Sequence, residues 1–307
     1  MNIRKSAAAG LVVLALTASA TACGGKEGTP DAPGAKATTG ANAPKLPTYA
    51  AKTGVTIDSA VLKKAQQRGK LVIGVKADQP FLGFQPPGTN DRNGFDIEIA
   101  KMVAADLGFG ADKIEWKTFD SSLRVPAIKK GDADYYVGTF TINDARKKDI
   151  SFAGPYYIAG QDLLVAKTNT DITGPDALKG KKVCSITGST PLERIKDPKY
   201  GATVVALGKY SDCVQQLQTG QVDAVTTDDA ILKGYAAQAP GKFRVVGKTF
   251  SQEPYGIGLA HDDKALRDAI SDALKAHQDN GDYKKAYDAT LGLSGAPYTA
   301  PPALDRY

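Results

Sequence analysis

Two short segments could each hold a carboxylate, and one acidic residue could hold an ammonium. TFTINDAR (139–146) sets the hydroxyls of Thr139 and Thr141 at the end of a strand-like run. Asn143 or Asp144 can start a helical turn there, and Arg146 stands at the next turn. Free backbone N–H groups, hydroxyl donors and a guanidinium suit a carboxylate. TGSTPLERIK (187–196) is a second segment of this kind. Gly188 allows close approach, Ser189 and Thr190 offer donors, and Pro191 fits a first helical position. Asp228 ends another strand-like run; ionised, it only accepts hydrogen bonds and suits an ammonium. Each segment taken singly also reads as an ordinary cap or turn.

Other chemistry has little to work with. The 307 residues include 2 His and 3 Cys, which leaves little room for a zinc site. No P-loop, no dinucleotide-binding glycine pattern after a strand, no nucleophile elbow and no HExxH occurs. His277 falls on the apolar face of Leu266, Ile270, Ala273 and Leu274 and reads as packed. His261, beside Asp262 and Asp263, reads as part of a helix start. No catalytic residue, metal ligand or cofactor is expected. The net charge of +6 is spread along the chain and is weak support for a nucleic-acid partner.

The elements that must position these residues alternate. An apolar fraction of 42% is globular, and the length suggests about two domains. Residues 70–75 read as a buried strand. Phe95, Ile99, Met102, Val103 and Leu107 share one helix face, which Gly108 ends. Strand-like runs recur at 113–119, 133–139, 162–167, 181–186, 203–207, 222–227, 243–248 and 255–260. Helical stretches lie between most of them. This predicts an α/β fold with largely parallel strands. AIKKGDADYYVGT (127–139) and QLQTGQVDAVTTD (216–228) share one plan: helix end, Gly, two residues, Asp, strand. Two lobes on that plan would put Thr139 and Asp228 on opposite walls of one cleft, because open α/β sheets bind at the carboxyl ends of their strands.

The first fifty residues read differently. Arg4 and Lys5 precede an apolar run (6–18) too short to span a bilayer but right for a signal peptide, taken as residues 1–22. Ala20-Thr21-Ala22 before Cys23 resembles a bacterial lipobox, with Ala20 where Leu is preferred. Cys23 would then carry a lipid; an ordinary signal peptide with a chance Cys is the alternative. Residues 23–50 read as the lipidated Cys and a flexible tether, since Gly, Ala, Pro, Thr and Lys bury too little surface to offset ordering entropy. Beyond the membrane, Cys184 and Cys213 remain as an even pair. A bridge between them would stabilise by about 3–4 kcal/mol; two reduced thiols are the alternative.

At these residues the chain resembles the family 3 extracellular solute-binding proteins of ABC amino-acid importers. The resemblance runs from 68 to about 290. It is carried by LVIGVKADQPFLGF (71–84), NGFDIEIAKMVAADLG (93–108), LRVPAIKKGDAD (123–134), TFTINDARKKDISFAGPYY (139–157), TGSTPLERIK, VDAVTTDDAIL (222–232) and SQEPYGIGLA (251–260). DQP at 78–80, SQEPYG and the two cysteines are most similar to the glutamate/aspartate-binding members.

The resemblance implies a two-lobed, periplasmic-binding-protein-like (type II) fold with two hinge strands, crossing near 157–161 and 253–257. Lobe 1 would comprise 51–157 and 256–307, and lobe 2, with the hinge strands, 158–255. It implies that Arg146 and Thr141 take the ligand's α-carboxylate, with Thr139 where relatives have Gly or Ser. Ser189 and Thr190 would contribute from lobe 2, and Asp228 would take the ammonium. Ser121 and Arg124 would hold a side-chain carboxylate, with Lys76 where relatives have Arg and Tyr210 where one has His. Lys76, Arg124 and Arg146 against Asp228 favour an acidic ligand, because a glutamine would leave buried cations unpaired. The expected protein is a lipid-anchored monomer on the extracellular face of the bacterial membrane. It would deliver glutamate, or aspartate, to an ABC permease, with no nucleic-acid partner. A sensor, a glutamine or asparagine binder, and a dehydratase-like enzyme on the same fold are the other readings. The tail from Gly295 is expected to pack loosely or not at all.

Overall fold

The computed structural model describes residues 44–307; the expected signal peptide, Cys23 and the expected tether as far as residue 43 lie outside the described residues. Apart from short 3-10 turns, the chain runs α1 (Ala60–Arg68), β1 (Leu71–Val75), β2 (Asp78–Gln79), β3 (Gly83–Phe84), α2 (Phe95–Asp106) and β4 (Ile114–Thr118). It continues with α3 (Arg124–Lys130), β5 (Tyr135–Val137), α4 (Asp144–Lys147), β6 (Ser151–Ala159), β7 (Gln161–Ala166) and β8 (Lys182–Ile186). Then follow α5 (Thr190–Ile195), β9 (Thr203–Leu207), α6 (Tyr210–Gln218), β10 (Ala224–Asp228), α7 (Asp229–Gln238) and β11 (Phe243–Val245). The last elements are β12 (Glu253–Leu259), α8 (Lys264–Asp279) and α9 (Asp282–Ala289).

Two five-stranded sheets make two lobes. The first has the order β4-β1-β5-β12-β6 and the second β11-β7-β10-β8-β9. The chain leaves the first sheet after Ala159, enters the second at Gln161, and returns between Val245 and Glu253. The fold is the two-lobed type II arrangement.

The strands are less parallel than the alternation predicts. In the first sheet β4, β1 and β5 are parallel, but β12 runs antiparallel to both β5 and β6. In the second, β9, β8 and β10 are parallel, while β7 is antiparallel to β10 and β11. The parallel trios come from local strand-helix-strand units; the antiparallel strands are those that flank the two crossings. Periodicity reports burial, not direction, so it cannot separate the two. β6 escaped the reading because Gly154 and Pro155 interrupt its run. It is an edge strand, where a missing N–H is tolerated.

β1 is buried at every residue, as a central parallel strand covered on both faces must be. The expected face of α2 is buried, but so are Asp96, Ile97, Glu98 and Ala100, because α8 and α9 pack on its other side. Phe95 is the hub of an aromatic cluster, with Tyr156, Tyr157, Tyr283 and Tyr287 at 5.2–6.3 Å.

Both ends of the described chain pack on the first lobe. Tyr49, expected in the tether, meets the His277 ring edge-on at 5.5 Å. The segment after α9 does not hang loose. The Asp305 N–H donates to the Gly154 carbonyl (2.7 Å), and the Phe152 N–H donates to Tyr307 Oη (2.9 Å). Lys147 and Arg267 lie on the Tyr307 ring. The unpaired edge of β6 offers the backbone partners that composition does not show. A disulfide joins Cys184 of β8 to Cys213 of α6.

Candidate functional site

The site lies between the lobes, at the carboxyl ends of the parallel strands. Ser121, Arg124, Thr139 and Thr141 line it from the first lobe. Ser189, Thr190, Tyr210 and Asp228 line it from the second. Thr139 and Asp228 thus face one cavity. The enclosed space is about 10 Å³, room for about one water. The lobes are closed upon each other. Lys76 reaches the same place by donating to Ser121 Oγ at 2.9 Å. Arg146 stands at the mouth, lining an outer groove with Asn143, Gly188 and Arg194.

Local structure explains each position. Asn143 caps α4 by accepting the Arg146 N–H (2.9 Å), which fixes where that side chain starts. Arg146 donates to the Thr141 carbonyl (2.5 Å) and across the cleft to the Gly188 carbonyl (3.1 Å). Arg124 donates to the Ser121 and Thr139 carbonyls (3.1 and 3.2 Å) and to the same Gly188 carbonyl (3.2 Å). Both guanidiniums lie on the Phe140 ring, 4.2 and 4.8 Å from its centroid, and the attraction of each to the ring offsets part of their mutual repulsion. Thr139 adopts a left-handed conformation (φ 44°). Its N–H donates to buried Asp96 at 3.1 Å, and its hydroxyl lies 3.1 Å from Gln79 Oε1.

In the second lobe the two hydroxyls are engaged by the protein itself. Ser189 caps α5, accepting the Leu192 N–H (3.1 Å) while donating to the Ile186 carbonyl (2.7 Å). Thr190 donates to Glu253 Oε2 (2.7 Å), so toward Thr141, 3.3 Å away, its oxygen is an acceptor. Asp228 accepts the Tyr255 hydroxyl on Oδ2 (2.7 Å); among the described residues, Oδ1 has no partner. Burial pushes the Asp228 carboxyl up to about 8, helped by the charge of Glu253 and opposed by the Tyr255 hydroxyl. Burial, then the charge of Arg124, brings the Lys76 amine down to about 8. The same two causes lower Arg146.

Residues 71–292 match the model of the bacterial extracellular solute-binding proteins, family 3. The chain belongs to this family. It is 39% identical over 241 residues to the glutamate-binding protein GluB of Corynebacterium efficiens, covering 75% of this chain and 82% of that one. It is 40% identical over 215 residues to a glutamine-binding protein of Geobacillus stearothermophilus, covering 70% and 82%. Among solved structures, an ancestral arginine-binding protein bound to glutamine superposes with a TM-score of 0.68 at 37% identity, covering 73% of this chain and 99% of that one.

Several residues that shape this cleft had no role in the sequence reading. Asp96 and Gln79 hold Thr139. Phe140 carries both guanidiniums. Glu253, at 0% exposure, takes Thr190 and Ser251 and pairs with Arg194 at 2.7 Å. NGFDIE, DQP and SQEPYG were visible as family marks, but contacts between residues so distant in sequence carry no local signal.

Proposed function

We propose that this family 3 protein captures an acidic amino acid, glutamate foremost, outside the bacterial membrane and hands it to an ABC permease. The observation that carries this is the gathering of Lys76, Arg124 and Arg146 at one cleft with Asp228, while the other buried acid nearby, Glu253, is paired with Arg194 at 2.7 Å. Glutamate brings two carboxylates and an ammonium. Arg146 and Thr141 suit the α-carboxylate; Arg124, Lys76 and Ser121 suit the side-chain carboxylate; Asp228 suits the ammonium. The ligand's carboxylates would take over the donors that Arg124 and Arg146 turn on Gly188. Such charge-assisted bonds favour closing on the ligand, whose greater affinity for the closed form drives the hinge. The names of the glutamate-binding relative and of the binding proteins beside it support a receptor, not an enzyme. A lipid on Cys23 would tether it, and it would act as a monomer.

Glutamine is the second reading, favoured by the glutamine-binding relative. Calorimetry of the folded body against the twenty amino acids decides between them. Tightest binding of glutamate or aspartate is expected; tightest binding of a neutral or basic amino acid overturns the acidic reading. Full affinity in Arg146→Ala overturns the site. Uptake by vesicles carrying the cognate permease separates transport from sensing, and loss of membrane retention in Cys23→Ser tests the tether.

A further inference from the structure

We propose that Asp78 is a positioning residue that latches the cleft shut by capping a helix of the opposite lobe. Helix α6 begins at Tyr210 after Lys209, whose side chain makes no capping hydrogen bond. Lysine has no acceptor and cannot cap a helix start. The cap comes from the first lobe instead. Asp78 Oδ2 accepts the N–H of Tyr210 at 3.0 Å and that of Ser211 at 3.4 Å. A carboxylate there also meets the positive end of the α6 dipole.

Two further contacts show the same hairpin, β2–β3, receiving the second lobe. The Tyr235 hydroxyl of α7 donates to the Asp78 carbonyl. Gly234, one residue earlier, lies so close to the Pro80 carbonyl that a Cβ would stand 2.4 Å from its oxygen. Hairpin, α6 and α7 therefore fit together only when the lobes are closed, and an open cleft leaves the α6 N-terminus to water.

The latch is continuous with the pocket on both sides. Tyr210, whose N–H is held, lines the cavity with its side chain. Gln79, next to Asp78, lies against Thr139, and Lys76 is two residues earlier in the chain. The disulfide ties α6 to β8, so a pull on α6 reaches the strand that leads into the Ser189 turn. Asp78 itself does not line the cavity. It acts on how long the closed form lasts, which is the quantity that off-rates report.

The latch rests on the reading above only in that an amino acid binds in the cleft. Its test uses stopped-flow binding of L-glutamate to the folded body in wild type, Asp78→Ala, Asp78→Asn and Gly234→Ala. Asp78→Ala is expected to release ligand about tenfold faster at a nearly unchanged on-rate. Asp78→Asn, which keeps an acceptor oxygen, should lose less. Gly234→Ala suits a helix interior and leaves each lobe intact, yet should speed release as Asp78→Ala does. Ligand-free melting temperatures should match wild type. A wild-type off-rate in Asp78→Ala overturns the latch. So does an Asp78→Ala defect that appears as a lower ligand-free melting temperature and a slower on-rate, the signature of damaged folding. Failure of the wild type to bind glutamate overturns the proposed ligand and not the latch, and the same comparison then runs with L-glutamine.

Discussion

Asp134 and Asp223 make the same pair of contacts in the two lobes. Asp134 donates its N–H to the Val72 carbonyl (2.8 Å) and accepts the Val72 N–H on Oδ2 (2.6 Å). Asp223 does both with Lys182, at 2.8 and 2.7 Å. Each Asp stands just before a strand, β5 or β10, and clamps the neighbouring parallel strand, β1 or β8. Beyond β5 lies Thr139, and at the end of β10 lies Asp228. The clamp thus sets both walls of the cleft in register.

Asp134→Ala should therefore cost stability. It leaves the buried Val72 N–H without its acceptor, a loss of about 1–3 kcal/mol. Asp223→Ala should cost less, because Asp223 is less buried. Urea unfolding midpoints check this, and an unchanged midpoint for Asp134→Ala would refute the clamp.

Gly188 is required for closure. It has φ 81°, and a Cβ there would stand 2.6 Å from both Cα and N of Ser122 in the opposite lobe. Backbone cannot yield as a flexible side chain can. Gly188→Ala should weaken ligand binding by more than about tenfold, that is by at least about 1.4 kcal/mol. Small-angle scattering at saturating ligand should show a larger radius of gyration than wild type; equal radii would contradict the prediction.

Lys76 should set the choice between acid and amide. Lys76→Gln removes one charge from beside Arg124 and leaves a donor for a side-chain amide. Glutamate affinity should fall by about tenfold or more, as for a lost charged hydrogen bond, with glutamine affinity little changed. Paired calorimetric titrations test this; equal losses for both ligands would remove Lys76 from specificity.

Closing without ligand should depend on pH. Asp228 titrates near its ordinary 3.8 when hydrated but near 8 when closed. The closed form keeps a proton that the open form sheds. Its advantage is complete below 3.8 and is lost as pH rises to about 8. Lys76 moves oppositely, from 10.5 down to about 8. Its contribution to closure is complete above 10.5 and is lost as pH falls through about 8. Ligand-free protein should be most open near pH 8. A scattering series from about pH 5 to about 10 should show a maximum in radius there. Asp228→Asn should flatten the acid limb, and a flat wild-type series would sink the linkage.

Much of this protein is determined by local sequence. The two-lobed α/β plan follows from alternating strands and helices and from the repeat around Asp134 and Asp223, because burial has a period that neighbours in sequence share. The α4 turn that presents Arg146 and the α5 turn at Ser189 follow from cap residues, which act within three or four positions. Tertiary structure alone decided what depends on residues far apart in the chain. It turned half of the strand pairs antiparallel, since direction is set by the crossings and not by periodicity. It gave the Thr190 proton to Glu253, 63 residues away, and it brought two guanidiniums onto Phe140 and one carbonyl. It also laid Asp305 and Tyr307 on β6 and set Asp78 on α6, 132 residues away. Hydrogen-bond partners are chosen by proximity after the lobes close, and a linear pattern holds no record of that choice.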